Sequence, residues 1–378
     1  MKRLLLPLIV FLPITMIAQQ TDLSRMKEQP GLQGASSTGG SANTSPSSVS
    51  ESEADPLPPQ TSKSAKAGKT KKPSRPPHVG SMVGYVDDAI VGSQIRIRFD
   101  AGFHDNAPDR ADFFYAQYAG LNGPGPNSVV ADLNFQQLYL RAEYAPRQRF
   151  SFFTELPVRW IQPQLIVANL NPPATLTNQA GISDLAAGFK LAALASPNQY
   201  LTFQFQAYFP SGNASSGLGT NHYSVEPALL YYRSLSDRVA LEAELGDSHP
   251  IGGSSCRNPC NSTNLTGPNT QGFAGDVFFY GVGPSYVAYQ NEHLRIAPVI
   301  ELVGWRVLGG LETNCVPSLL DCSNQVAVSA DGTNIVNLKA GARAMVGPHS
   351  SFYIGYGHQL THAFWYKEIV RAEYRYSF

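Results

Sequence analysis

The residues of this chain that could do chemistry are charged side chains spaced two apart. Arg96, Arg98 and Asp100 form one such run, and Arg141 with Glu143 a second. Glu242 with Glu244 and Arg371 with Glu373 and Arg375 form two more. Glu155, Arg159, Glu301 and Arg343 stand at the same parity within otherwise apolar stretches. A spacing of two puts side chains on one face of an extended strand. A face built of arginines and carboxylates has two uses. It can pair internally as an ion lattice, or it can line a polar path for a solute, with Arg141, Arg343 and Arg371 as a ladder of cations. Asp184, Lys190, Glu226, Arg295, Lys339 and Lys367 share the parity, and the signs nearly balance. Near-balance argues against a strongly ion-selective pore. Tyr139, Phe153, Tyr208 and Tyr353 also share it, and could stack a ring-bearing solute or simply fill space.

Catalytic patterns are sparse. There is no Gly-x-Ser-x-Gly elbow and no His-Glu-x-x-His pair. His222 and Ser224 lie two apart, as a base and nucleophile would, but no third orienting group is identifiable. His104, Asp105 and Asp109 could hold a metal, although a polar loop rim is the commoner origin of such a cluster. No catalytic residue, metal site or cofactor is expected. The four cysteines fall as two close pairs in polar stretches, Cys256 with Cys260 and Cys315 with Cys322. In an exported chain, two local disulfides are the default. Zinc fits poorly, because neither spacing is a two-residue knuckle.

The elements that must position these faces are strands. From about Gly80 onward, period-two segments alternate with turn signals. They predict strands at 93–104, 131–145, 149–161, 182–194, 200–210, 221–233, 238–249, 273–289, 294–307, 334–346, 351–360 and 367–378. Short connections alternate with long ones, and the cysteines fall in long ones. Between the charged positions lie apolar residues, such as Phe203, Phe205 and Phe209. A polar inner and an apolar outer face describe a transmembrane antiparallel β-barrel of about 12 strands. The fold class expected is therefore all-β, with short turns on the periplasmic side and a narrow lumen. Gly80–Gly92 could fold inward as a plug or remain outside as a lead.

The ends fit this reading. Met1–Ala18 reads as a signal peptide, with Lys2 and Arg3 before an apolar run. Residues 19–78 are rich in Ser, Pro and Lys and are expected to be a disordered periplasmic linker. The barrel domain spans 79–378. With 28 basic and 28 acidic residues the formal net charge is zero, so nucleic acid is not implied as a partner. The final strand carries Tyr374, Tyr376 and the terminal Phe378. It resembles the closing strand of bacterial outer-membrane barrels, which the barrel-assembly machinery reads as a signal. The resemblance implies a Gram-negative outer membrane, with membrane lipid and that machinery as partners.

A second resemblance covers mainly residues 150–250. Gly181-Ile-Ser-Asp184-Leu, Gly188-Phe-Lys190, Tyr208-Phe-Pro210-Ser-Gly212 and Gly219-Thr-Asn-His-Tyr-Ser-Val-Glu226-Pro227 are similar to the outer-membrane transporter family grouped with phenol-degradation meta-pathway proteins. It implies a barrel and uptake of a small hydrophobic or aromatic solute. The function expected is a narrow passive channel. The alternatives are a structural or surface-interaction barrel with disulfide-stapled loops and, further off, a lipid-acting enzyme.

Overall fold

The computed structural model describes residues 80–170, 174–254, 272–319 and 321–378. The signal-peptide and linker assignments lie outside the described residues. Strand β1 runs Gln94–Asp105, β2 Ser128–Arg147, β3 Phe150–Asn169, β4 Gln179–Ile182, β5 Leu185–Ser196, β6 Gln199–Phe209, β7 Tyr223–Ser234 and β8 Val239–Ile251. Then follow β9 Val277–Tyr286, β10 Tyr289–Gln290, β11 Leu294–Val307, β12 Leu311–Ser318, β13 Asp321–Ser329, β14 Asn334–Val346, β15 Ser350–Gln359 and β16 Glu368–Ser377.

These strands make an antiparallel barrel with 12 positions. β4 and β5 share one position, broken at Ser183 and Asp184, and both pair with β3. β10 prolongs β9, and both pair with β11. The ring closes where β1 pairs with β16, from Gln94↔Ser377 to Phe103↔Glu368. Closure leaves no unpaired edge in hydrocarbon. The expected strands at 294–307 and 334–346 coincide with β11 and β14. The strand expected at 273–289 begins later, at Val277.

The loop expected at 308–333 contains structure of its own. β12 and β13 pair with each other as a hairpin. The disulfide Cys315–Cys322 staples that hairpin as the spacing predicts. Of the two expected disulfides it is the one that falls on described residues. The other, expected between Cys256 and Cys260, lies outside them. Leu311, Cys315 and Ala327 are buried with Tyr118 and Leu121 of the 106–127 loop and with Phe273. Burial against a neighbouring loop overrides the turn-rich composition.

The barrel is inverted relative to a soluble fold. Arg343, Lys190, Glu242 and Glu301 are at most 2% exposed. Ile354, Phe378 and Tyr144 are more than 60% exposed on the outside. Alternation along each strand causes this, and a one-residue slip would swap the two faces. Tyr144, Phe352, Tyr376 and Phe378 ring the short-turn rim, where aromatics suit an interface. The Phe378 amide donates to the Ser93 carbonyl at 3.1 Å, tying the last residue to the lead into β1.

Ile354 sits midway along β15 on the outer face. Ile354→Arg should destabilise the barrel in lipid by roughly 2–4 kcal/mol, the cost of a cation near the bilayer midplane. Urea midpoints in vesicles measure it, and an unchanged midpoint would mean that this face does not meet hydrocarbon.

Candidate functional site

The lead segment settles the choice left by the sequence: it runs inward. Met82, Val83, Tyr85, Val86, Ala89 and Val91 are all buried inside the barrel. The segment bends at 84–86 and returns to the rim at Gln94, where β1 starts. It has no strand partner, so its backbone groups must bond to side chains of the wall. Glu242 accepts from the Met82 amide at 2.9 Å. Glu301 accepts from Gly84 at 3.2 Å and from Tyr85 and Val86 at 2.8 Å each. Glu244 accepts from Asp87 at 2.7 Å. The carbonyls meet cations. Arg343 donates to Val83 at 2.7 Å, Arg371 to Gly84 at 2.6 Å, and Lys190 to Asp88 at 2.8 Å. A Cβ on Gly281 would lie 2.8 Å from Val86, and one on Gly283 2.8 Å from Val83, so β9 needs glycine where the plug passes.

The remaining interior charges pair with one another. Arg371 grips Asp100 through two bonds of 2.7 Å. Arg343 and Arg375 share Glu373, Arg96 reaches Glu155 at 3.1 Å, and Lys190 reaches Glu143 at 3.4 Å. Arg98 lies between Asp100 and Glu155 and stacks on Tyr139. Arg141 stacks on Phe153, 3.7 Å from its centroid. The sequence-predicted interior residues thus form a lattice with the plug in its grip. Lys367 and Arg295, assigned inward on parity, are not buried in the interior. Lys367 is exposed just before β16, and Arg295 is half-buried near the short-turn rim, bonded to Gln290. Both lie near strand ends, where the parity rule lapses.

At the opposite rim, the 106–127 loop folds over the lumen. Arg159 donates to the Phe114 carbonyl at 2.7 Å and stacks on its ring. Phe113 stacks on Trp365, and Phe114 packs on Phe135. Asp109 accepts from Thr313 of the β12–β13 hairpin, and Arg110 pairs with Glu312. Ala111 and Asp112 adopt φ of 52°, a conformation that such tight packing must hold in place. Burial pushes Asp109 up to about 6 and Asp112 up to about 7.

Between plug and lid lies a cavity of about 300 Å³. Tyr85 at the bend of the plug lines it from below, and Phe113 and Phe114 line it from the lid. Phe135, Tyr139, Tyr208, Phe279, Trp305, Trp365 and Tyr366 complete an aromatic wall. Arg98, Arg159, Lys339 and Arg371 supply cations, and Glu226 and Glu244 are among its carboxylates. Of the arginine ladder, only Arg371 reaches this chamber; Arg343 lies with the plug, and Arg141 is spent on Phe153 and Glu155. Aromatics from the connections were missing from the candidate residues. The run Phe113-Phe114-Tyr115 and the pair Trp365-Tyr366 were the available signal, since such rings in loops must find cover.

The other candidate chemistry disperses. His222 and Ser224 both line the chamber, but the His222 ring is bonded to the Thr220 carbonyl at 3.0 Å. Burial holds its pKa below the usual histidine value. His104 turns outward to Asp132, while Asp109 turns to Thr313 and Asp105 to the Ala107 amide, so the three share no centre. Asp247, His249 and Asp276 do bring ligand atoms within 4.8 Å of one another, outside the lumen near the long-loop rim.

The sequence motif around Asp184 has a structural origin. The break between β4 and β5 lets its carboxylate accept from the Gly212 amide at 3.0 Å and the Thr220 amide at 2.8 Å. A Cβ on Gly219 would lie 2.5 Å from that carboxylate. Gly212, Gly219 and Asp184 are thus one knot, which holds the 210–222 loop beside the chamber.

Two outcomes follow from these contacts. Asp184→Ala leaves two amides without their acceptor, so the 210–222 loop should lose about 1–3 kcal/mol of local stability per amide. Hydrogen exchange confined to that loop reads it, and unchanged protection would remove the knot from the account. The lid should respond to pH. Asp109 and Asp112 bind protons more tightly folded than unfolded, so their contribution to stability is full below about pH 4 and falls as pH rises through about 6 to 7. Exchange of the 106–127 amides, corrected for intrinsic rates, should therefore quicken severalfold from pH 5 to pH 8. A flat profile would mean that these carboxyls are solvated.

Among known proteins, a family profile described as MetA-pathway of phenol degradation matches residues 122–247. No curated protein matches the chain. Solved structures that align with it include an outer membrane channel from Pseudomonas putida F1, 14% identical, covering 78% of this chain and 99% of that one at a TM-score of 0.49. The NanC porin is 9% identical, covering 76% of this chain and 100% of that one at 0.39. LpxR from Salmonella typhimurium is 11% identical, covering 76% and 100% at 0.37. The closed ring and its apolar exterior make this chain a transmembrane β-barrel, similar across its central strands to the family described as MetA-pathway of phenol degradation.

Proposed function

We propose that the barrel is a gated, passive channel for small aromatic solutes, with the chamber as its intermediate station. The observation that carries this reading is the aromatic-lined chamber between plug and lid. Its volume of about 300 Å³ stands at the small end of ligand pockets, which suits a single-ring solute. The family profile, named for phenol degradation, supports the same class of solute. Passage requires the plug to move. The plug is held by hydrogen bonds to buried charges rather than by strand pairing, so it can let go without opening the wall.

Glu301 holds three plug amides, and Glu301→Ala strands all of them. Each lost acceptor costs about 1–3 kcal/mol, enough to favour an unplugged lumen. In planar bilayers the wild type should show small, brief conductance, and Glu301→Ala should open more often and conduct severalfold more. In liposomes the wild type should speed entry of phenol but not of glucose. A barrel that inserts, stays silent with and without Glu301, and admits no aromatic solute would instead be a structural or surface-interaction protein.

A further inference from the structure

Resting on that reading, we infer that the chamber binds aromatic solutes as anions, through the ammonium of Lys339. Lys339 is 3% exposed and lines the chamber. Its Nζ lies 4.1 Å from the Tyr85 ring centroid, 5.2 Å from that of Trp305 and 5.5 Å from that of Tyr366. No hydrogen-bond acceptor and no carboxylate within ion-pair distance meets it among the described residues. The other chamber cations are engaged: Arg371 by Asp100 and the Gly84 carbonyl, Arg98 by Asp100 and Glu155, and Arg159 by the Phe114 carbonyl. The nearest candidate by strand register, Glu301, is committed to plug amides and to the Tyr353 hydroxyl.

A buried ammonium without an anion is costly, and ring faces compensate only in part. It is a vacant half of an ion pair, set where one edge of a ring-bearing solute would rest. A carboxylate or phenolate would complete it with a charge-assisted hydrogen bond while Tyr85, Trp305 and Tyr366 pack around the ring. Tyr85 belongs to the plug, so an occupied site touches the element that must move.

The test compares benzoate with benzamide, its neutral isostere, on the full chain in detergent at about pH 6, where ammonium and carboxylate are both charged. Calorimetry reads affinity, and Trp305 fluorescence, checked with Trp305→Phe, reports binding at this spot. The wild type should prefer benzoate by about tenfold or more. Lys339→Gln should abolish that preference, while Lys339→Arg should keep it. If Lys339→Gln fails to fold, the wild-type comparison and Lys339→Arg decide. Equal binding of both probes overturns the anion site and leaves the aromatic chamber standing. A benzoate preference that survives Lys339→Gln places the anion elsewhere and overturns the role of Lys339. Binding of neither probe overturns this inference and the chamber reading together.

Discussion

The structure depends on one constraint: a stretch of irregular backbone is enclosed in the lumen, and its polar groups must be satisfied there. Residues 82–89 have no strand partner, so carboxylates and cations of the wall take the place of a ladder. Buried charges are expensive in isolation. Here, each carboxylate that receives a plug amide and each guanidinium that reaches a plug carbonyl gains the bond it would otherwise lack. Plug and wall therefore satisfy one another's polar groups. A wall with Glu242 and Glu301 but no plug would hold carboxylates short of partners, and a plug without them would hold orphan amides.

The same logic orders the rest of the interior. Next to the plug, paired charges such as Arg371–Asp100 and Arg343–Glu373 stiffen the lattice. Farther up, ring faces take over, as where Arg159 lies on Phe114. The change from ion pairs to aromatics marks the floor of the chamber. The lid above is tied by bonds from three separate connections, through Thr313, Gly219 and Ser254. Opening on either side thus breaks bonds outside the strand ladder, which separates gating from the stability of the wall.

The motifs that resemble those of the phenol-degradation family are explained by architecture more than by solute contact. Asp184, Gly212 and Gly219 make the knot of the 210–222 loop. Gly188 lies under the Phe153 ring and against the Phe205 carbonyl, where a side chain would not fit. Of the chamber lining, Lys339, Trp305 and Phe114 lie outside the matched residues, while Phe135, Tyr139 and Tyr208 lie within them.

The sequence by itself determined the wall. Alternation of polar and apolar residues decides which face each side chain takes, so the strands, the closure of β1 on β16 and the interior set of Arg96, Glu155, Glu301 and Arg371 were all legible. So was the local disulfide Cys315–Cys322, because proximity along the chain ensures proximity in space. Tertiary structure alone decided what fills the wall. The Gly80–Gly92 segment has no period to read, and its inward path follows from hydrogen bonds to strands more than a hundred residues away. The meeting of Phe114, Trp365, Lys339 and Tyr85 around one chamber is likewise set by closure of the ring. Periodicity specifies the face a residue takes; which residues face one another across a lumen depends on how the strands are ordered and sealed.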